Sequence, residues 1–178
     1  MRSVLVLTAA VLGAIGVGIG AMAAAGEAPL AAPASHTPVA KAPRASGICA
    51  EITSISGAVV DRVVALPQNH PTFSFPAVVP IESAAAAQQV AELLCSLPAF
   101  PRGVMSCPVD VGISYNIVFS VGASSETVSV NPWGCEGVSG DISPRWLATS
   151  PSFWSELGSA MGLQNATRST FAGTIPGM

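Results

Sequence analysis

The most regular alternation along the chain is Ile113, Tyr115, Ile117, Phe119 and Val121, interleaved with Ser114, Asn116 and Ser120. A period of two buries one face of a strand, and Val118 is the apolar residue out of phase. A turn at 122–125 leads into a return run with Val128 and Val130 on one face, so residues 112–131 predict a hairpin. The spacing changes at 83–97, where Ala87, Val90, Ala91, Leu94 and Leu97 form one helical stripe behind Ser83 as N-cap, and Pro98 stops it. A second helix is predicted from Ser150 as N-cap and Pro151 at its first position, burying Phe153, Trp154, Leu157 and Met161 and ending at Gly162 or at Gln164 and Asn165.

Weaker signals flank these. The β-branched runs 49–55 and 59–66, separated by Ser56 and Gly57, read as another hairpin. Residues 66–80 carry Pro67, Pro71, Pro76 and Pro80 and read as a loop or an edge strand, because proline cannot donate to a ladder. A short strand is expected at 145–148. Together the pattern predicts one α+β domain over 48–165, an antiparallel sheet with two helices on one face, followed by a flexible tail at 166–178.

The N-terminal segment follows no such period. Between Arg2 and Glu27 lie twenty-four residues without charge, densest in Val, Leu and Ile up to Ile19 and closing in Ala21, Met22, Ala23, Ala24 and Ala25. This is the layout of a secretory signal peptide with a small-residue cleavage site, predicted over 1–25. If left uncut, the run would span a bilayer core of ~30 Å and tether the protein to the envelope. Residues 26–47 are rich in Pro, Ala and Ser, too poor in large apolar groups to offset the entropy of ordering, and read as a disordered spacer.

Composition changes the picture in two ways. Apolar residues make up 50% of the chain and mean hydropathy is +0.57, which would suggest a membrane protein, but the leader and alanine inflate both. The longest later uncharged stretches are broken by proline. Residues 48–165 hold nine acidic and three basic side chains, a formal charge of −6. That sign repels phosphate backbones and anionic lipid, so nucleic acid is excluded as a partner, and membrane too apart from an uncut leader.

Cys49, Cys95, Cys107 and Cys135 lie in a chain read as exported, where an even count implies disulfides. Pairing Val121 with Glu126 across the hairpin turn sets Cys135 opposite Gly112. A bend at Pro108 and Gly112 then brings Cys107 to Cys135 and leaves Cys49 to join Cys95. Bridges closing loops of this length contribute roughly 3–4 kcal/mol each.

Two groups of segments carry a resemblance. Leu66-Pro67-Gln68-Asn69-His70 with Phe73-Ser74-Phe75-Pro76, and the stretch from Ser106-Cys107-Pro108 through Trp133-Gly134-Cys135 to Ser150-Pro151-Ser152-Phe153-Trp154, resemble secreted actinobacterial proteins of unknown function. That likeness implies export and a shared fold and carries no chemistry. The placement of Cys107-Pro108 and Cys135 around a long hairpin is also similar to the subtilisin-inhibitor family, small α+β proteins with two disulfides. By that likeness the loop 106–112, with Cys107, Pro108, Val109 and Asp110, would be inhibitory, and the bond after Val109 would face the protease. The family's Tyr-Asp-Pro is missing after that bond, and the first cysteine pair is more widely spaced here.

Candidate chemistry is sparse. His70 is the one histidine of 48–165, and a hydrolase would need a nucleophile within its reach. Gly137-Val138-Ser139-Gly140 is one residue short of the Gly-x-Ser-x-Gly elbow. The carboxylates are spaced as solubilising groups, with Asp110 and Asp141 placed to cap local turns. Trp154 belongs to the helix stripe, Trp133 beside Gly134 in a turn is the one candidate among the tryptophans for an exposed position, with a binding role as its minority reading, and Asn165-Ala166-Thr167 fits a glycosylation acceptor. No catalytic constellation, cofactor loop or metal cluster emerges. The sequence thus predicts a secreted, disulfide-stabilised, non-catalytic domain that binds an unidentified protein or envelope component, with a subtilisin-type inhibitor and a small hydrolase as the competing readings.

Overall fold

The computed structural model describes residues 47–177; the predicted leader and nearly all of the spacer lie outside them. Six strands form one antiparallel sheet: β1 (Ile55–Val64), β2 (Val78–Ile81), β3 (Ile113–Val121), β4 (Ser124–Val130), β5 (Gly137–Gly140) and β6 (Arg145–Trp146), in the order β2-β1-β3-β4-β5-β6. Three helices accompany it: α1 (Ala84–Ser96), α2 (Phe153–Ala160) and α3 (Arg168–Ala172). The fold is α+β, with one more helix than the sequence predicted.

The alternation in β3 does what a period of two requires. Ile113, Tyr115, Ile117, Phe119 and Val121 are buried, with Ala58, Val60, Val128, Val130 and Val138 beside them on the same face. All three helices close over that face and contribute Ala87, Val90, Ala91, Leu94, Phe153, Trp154, Leu157 and Phe171 to one continuous core. The opposite face carries Val59, Val63, Asn116, Val118, Thr127 and Ser129, none of them buried. Val118, out of phase in the sequence, lies on this open face beside Val59.

Ser83 caps α1 as expected, its Oγ accepting from the Ala86 amide at 3.3 Å, and the stripe Ala87, Val90, Ala91, Leu94 faces inward. Both disulfides pair as predicted, Cys49 with Cys95 and Cys107 with Cys135, with Cα separations of 5.7 and 4.9 Å.

Other expectations are corrected. The first hairpin does not form: residues 47–54 wind into two 3-10 turns, and β1 runs straight through Ser56 and Gly57, absorbing the break as a bulge at 55–57. Those turns are held by the Cys49–Cys95 bridge and by the Ile48 amide donating to Asp141 O. β1 finds its partners in β2 and β3 instead, and the proline-rich segment supplies β2 as the edge strand, where Pro80 is tolerated.

The β3–β4 register pairs Val121 with Ser124 rather than with Glu126. Gly122 has φ 56 and Ala123 does not share that sign, so a two-residue turn with glycine first suffices, and the Ser124 hydroxyl donates back to Val121 O. The predicted cysteine pairing survives this two-residue slip because the bridge depends on the loop before β3 as well as on the register.

β5 went unread, since four residues with glycine at each end and a single buried valine carry no pattern. The second helix starts at Phe153 with Ser152 before it, while Ser150 accepts from the Phe153 amide in the preceding turn. The tail is not loose. Thr167 and Thr170 form a capping box at the start of α3, Phe171 is fully buried, and Thr174 pairs with Thr72.

Candidate functional site

The segment between α1 and β3 is the largest piece of irregular surface in the described residues. Its first part is laid along the sheet edge: the Trp146 amide donates to Pro98 O, the Phe100 amide donates to Pro144 O, and Ala99 bridges to Arg145. From Arg102 onward nearly every residue is exposed. Val104 is 106% exposed and Val109 is 68%, the two most exposed large aliphatic side chains described.

The far end of the loop is tied down densely. Cys107 is bonded to Cys135. The Asp110 carboxylate accepts from the Gly112 amide at 2.9 Å through Oδ1 and from Asn131 Nδ2 at 3.0 Å through Oδ2. Asn131 Oδ1 in turn accepts from the Trp133 amide at 2.8 Å. Val111 O accepts from Asn69 Nδ2, and Gly112 O accepts from the Ala65 amide. A side chain at Gly134 would place its Cβ 3.3 Å from the Asp110 Cβ, and with φ 63 that position favours glycine.

Loop residues 101–110 are thus an exposed arch with one flank hydrogen-bonded to the sheet edge and the other cross-linked. Such pre-ordering lowers the entropy lost when the arch meets a partner.

The other sequence candidates sit elsewhere. His70 is exposed and ends a 3-10 turn in the left-handed conformation, with φ 47. Ser139 lies inside extended strand β5, so the segment 137–140 is not a strained strand-to-helix elbow.

Trp133 is half-buried rather than free: its indole N–H donates to Ala172 O at 3.0 Å, and Arg168 lies over the ring while bonding Glu136 at 2.8 Å. Trp146 donates to Cys135 O, and Trp154 is in the core as expected. The three tryptophans therefore build no exposed platform. Asn165 and Thr167 are exposed. Asp110 caps its own turn, but the Asp141 carboxylate accepts from the Thr127 amide at 2.8 Å, a bond to the neighbouring strand β4 and not to its local turn.

Two titratable groups are displaced. Burial pushes the Tyr115 phenol well above its usual range, opposed by Arg62, and its O–H donates to Phe171 O at 2.7 Å. Desolvation raises the Glu126 carboxyl, and negative charge on Glu51 and Asp141 raises it further. Neither group lies in the loop. Among the described residues no cluster of three or more His, Cys, Asp or Glu is placed to hold a metal, and no helix is long and apolar enough to cross a membrane.

Neither protein-family models, nor curated proteins, nor solved structures give a match to this chain.

Proposed function

We propose that this protein is a secreted, non-catalytic binding domain of the extracellular space or cell envelope, which meets a protein partner through the loop 101–110. The observation that carries the reading is the exposure of Val104 and Val109 on an arch whose far flank is cross-linked. Aliphatic side chains left mostly in water gain little for the fold. On contact, each would contribute up to roughly 1.5–3 kcal/mol by burial. The paired cysteines and the uncharged N-terminal run support an exported location.

The test is a capture experiment on the culture envelope fraction with the full mature chain and with Val104→Asp/Val109→Asp. A partner retained by the parent and lost by the double variant, which keeps the parent's melting temperature, is the expected result. Equal capture by both rejects the loop.

One observation favours a narrower second reading, inhibition of a subtilisin-type protease. Val109 follows Cys107 by two residues and projects to solvent, while the next side chain, Asp110, also exposed, is tied to the Gly112 amide and to Asn131. This fixes the backbone after an exposed Val109, the arrangement that lets a peptide occupy a protease cleft without strain relief on cleavage. Stoichiometric inhibition, abolished by Val109→Pro, is expected; an unaffected protease at micromolar protein removes this reading.

A further inference from the structure

Where the loop rejoins the sheet, its flank and the open face of β3–β5 line a shallow concavity of about 410 Å³ that is open to solvent. Its floor is a row of hydroxyls, Ser114 on β3, Ser129 on β4 and Ser139 on β5, with Ser129 and Ser139 directly opposite one another in the ladder. Phe100 forms one wall, and Asn131 with Asp110 closes the end. From this lining we propose that the concavity binds a neutral saccharide, with a sugar ring against Phe100 and its hydroxyls on the serine row.

Each alternative ligand class is disfavoured by the groups that line the concavity. Anions meet no cation in the lining, and residues 48–165 carry a formal charge of −6. A cation would find a single carboxylate, Asp110, already accepting two hydrogen bonds. A purely apolar ligand would strip water from three hydroxyls and a carboxamide without replacing it.

Serine hydroxyls both donate and accept, which matches the double capacity of sugar hydroxyls. Among the described residues the Ser114, Ser129 and Ser139 hydroxyls are not engaged by any protein group, so they are available. Asn131 is held through its Oδ1 and one Nδ2 hydrogen, leaving the second hydrogen for a ligand.

The aromatic wall is built in place. The Phe100 amide donates to Pro144 O at 3.0 Å, and its ring lies against Gly137, where an added Cβ would sit 3.4 Å from ring carbon Cε2. Glycine at 137 lets the ring settle against β5 beside Ser139. The volume falls within the ~300–1,000 Å³ of small-molecule sites. Val104 and Val109, which carry the partner-binding reading, do not line the concavity, so either proposal can fail without the other.

The experiment is an amide NMR titration of the ¹⁵N-labelled mature chain with cellobiose, N,N′-diacetylchitobiose and maltose, each to about 10 mM, enough to fill most of a site with a Kd of about 1 mM. At least one sugar is expected to give saturable shifts centred on Phe100, Ser114, Ser129 and Ser139. Phe100→Ala should weaken that binding about tenfold. Ser139→Ala, at an exposed position, should weaken it severalfold with the spectrum otherwise preserved. No saturable shift with any of the three sugars overturns the proposal. So does unchanged affinity in both variants, and so does a response confined to inorganic phosphate or spermidine.

Discussion

Phe171 lies in the segment that the hydropathy pattern leaves empty, and removing it tests how the domain is closed. Its ring is fully buried, with centroids 4.9 Å from Trp154, 5.3 Å from Tyr115 and 5.5 Å from Phe75. Phe171→Ala deletes this hub and leaves a cavity in a packed core, a loss of about 3–5 kcal/mol. Net stabilities of domains run at about 5–15 kcal/mol, and each kcal/mol shifts the melting point of a domain this size by roughly 3–4 °C, so a fall of about 10–20 °C is expected. Ending the chain at Ala166 is harsher, since it also removes Ile175 and the carbonyl that Tyr115 needs. Removing α3 also uncovers the Tyr115 ring, whose O–H then meets water in place of Phe171 O.

The assay has an internal reporter, because Tyr115 is the one tyrosine in the chain. Alkaline titration followed by phenolate absorbance should show no ionisation near the usual value of about 10 while the protein stays folded. The folded-state phenol lies above the unfolded one. Stability is therefore full below about pH 10 and declines as the pH rises toward the folded value, since the unfolded chain sheds the proton first. In the chain ending at Ala166 the phenol should ionise close to 10. An unchanged melting point together with an identical alkaline titration in the shortened chain would refute the packing argument outright.

Cys49→Ser/Cys95→Ser opens a loop with a separation of 46 residues and should cost about 4 kcal/mol, against about 3.6 kcal/mol for Cys107→Ser/Cys135→Ser with its separation of 28. Denaturant unfolding measures both, and alkylation without reductant should label no thiol in the parent; any labelled cysteine in the oxidised protein contradicts the pairing. Desolvation and the negative charges of Glu51 and Asp141 raise the folded-state Glu126 carboxyl above its ordinary value. The stability linked to its proton is thus present below about pH 4.3 and is lost as the pH rises through the folded value. Glu126→Gln should raise the melting temperature at about pH 7 and leave it unchanged at about pH 3.5. A gain of equal size at both values would show that charge is not the cause.

The elements legible in the chain are those whose signal is local. β3 and α1 were readable because burial of one face imposes a period of two or of 3.6, and Ser83 and Pro98 mark the ends of α1. The α+β class and the two disulfides followed from that pattern and from an even cysteine count in a chain read as exported.

What escaped depends on partners remote in sequence. β1 continues through Ser56 and Gly57 because β2 and β3 flank it, and β5 exists because β4 offers it a ladder. α3 forms because Phe171 drops between Tyr115 and Trp154, residues that no spacing connects to it. The same is true of function. The cysteine flanking the loop was visible, as was Asp110 as a local cap, but the exposure of Val104 and the serine row facing Phe100 required four elements to meet. A sequence records which residues favour water and which turns the backbone accepts. Only the folded chain decides which faces are covered, and the uncovered ones are left to bind.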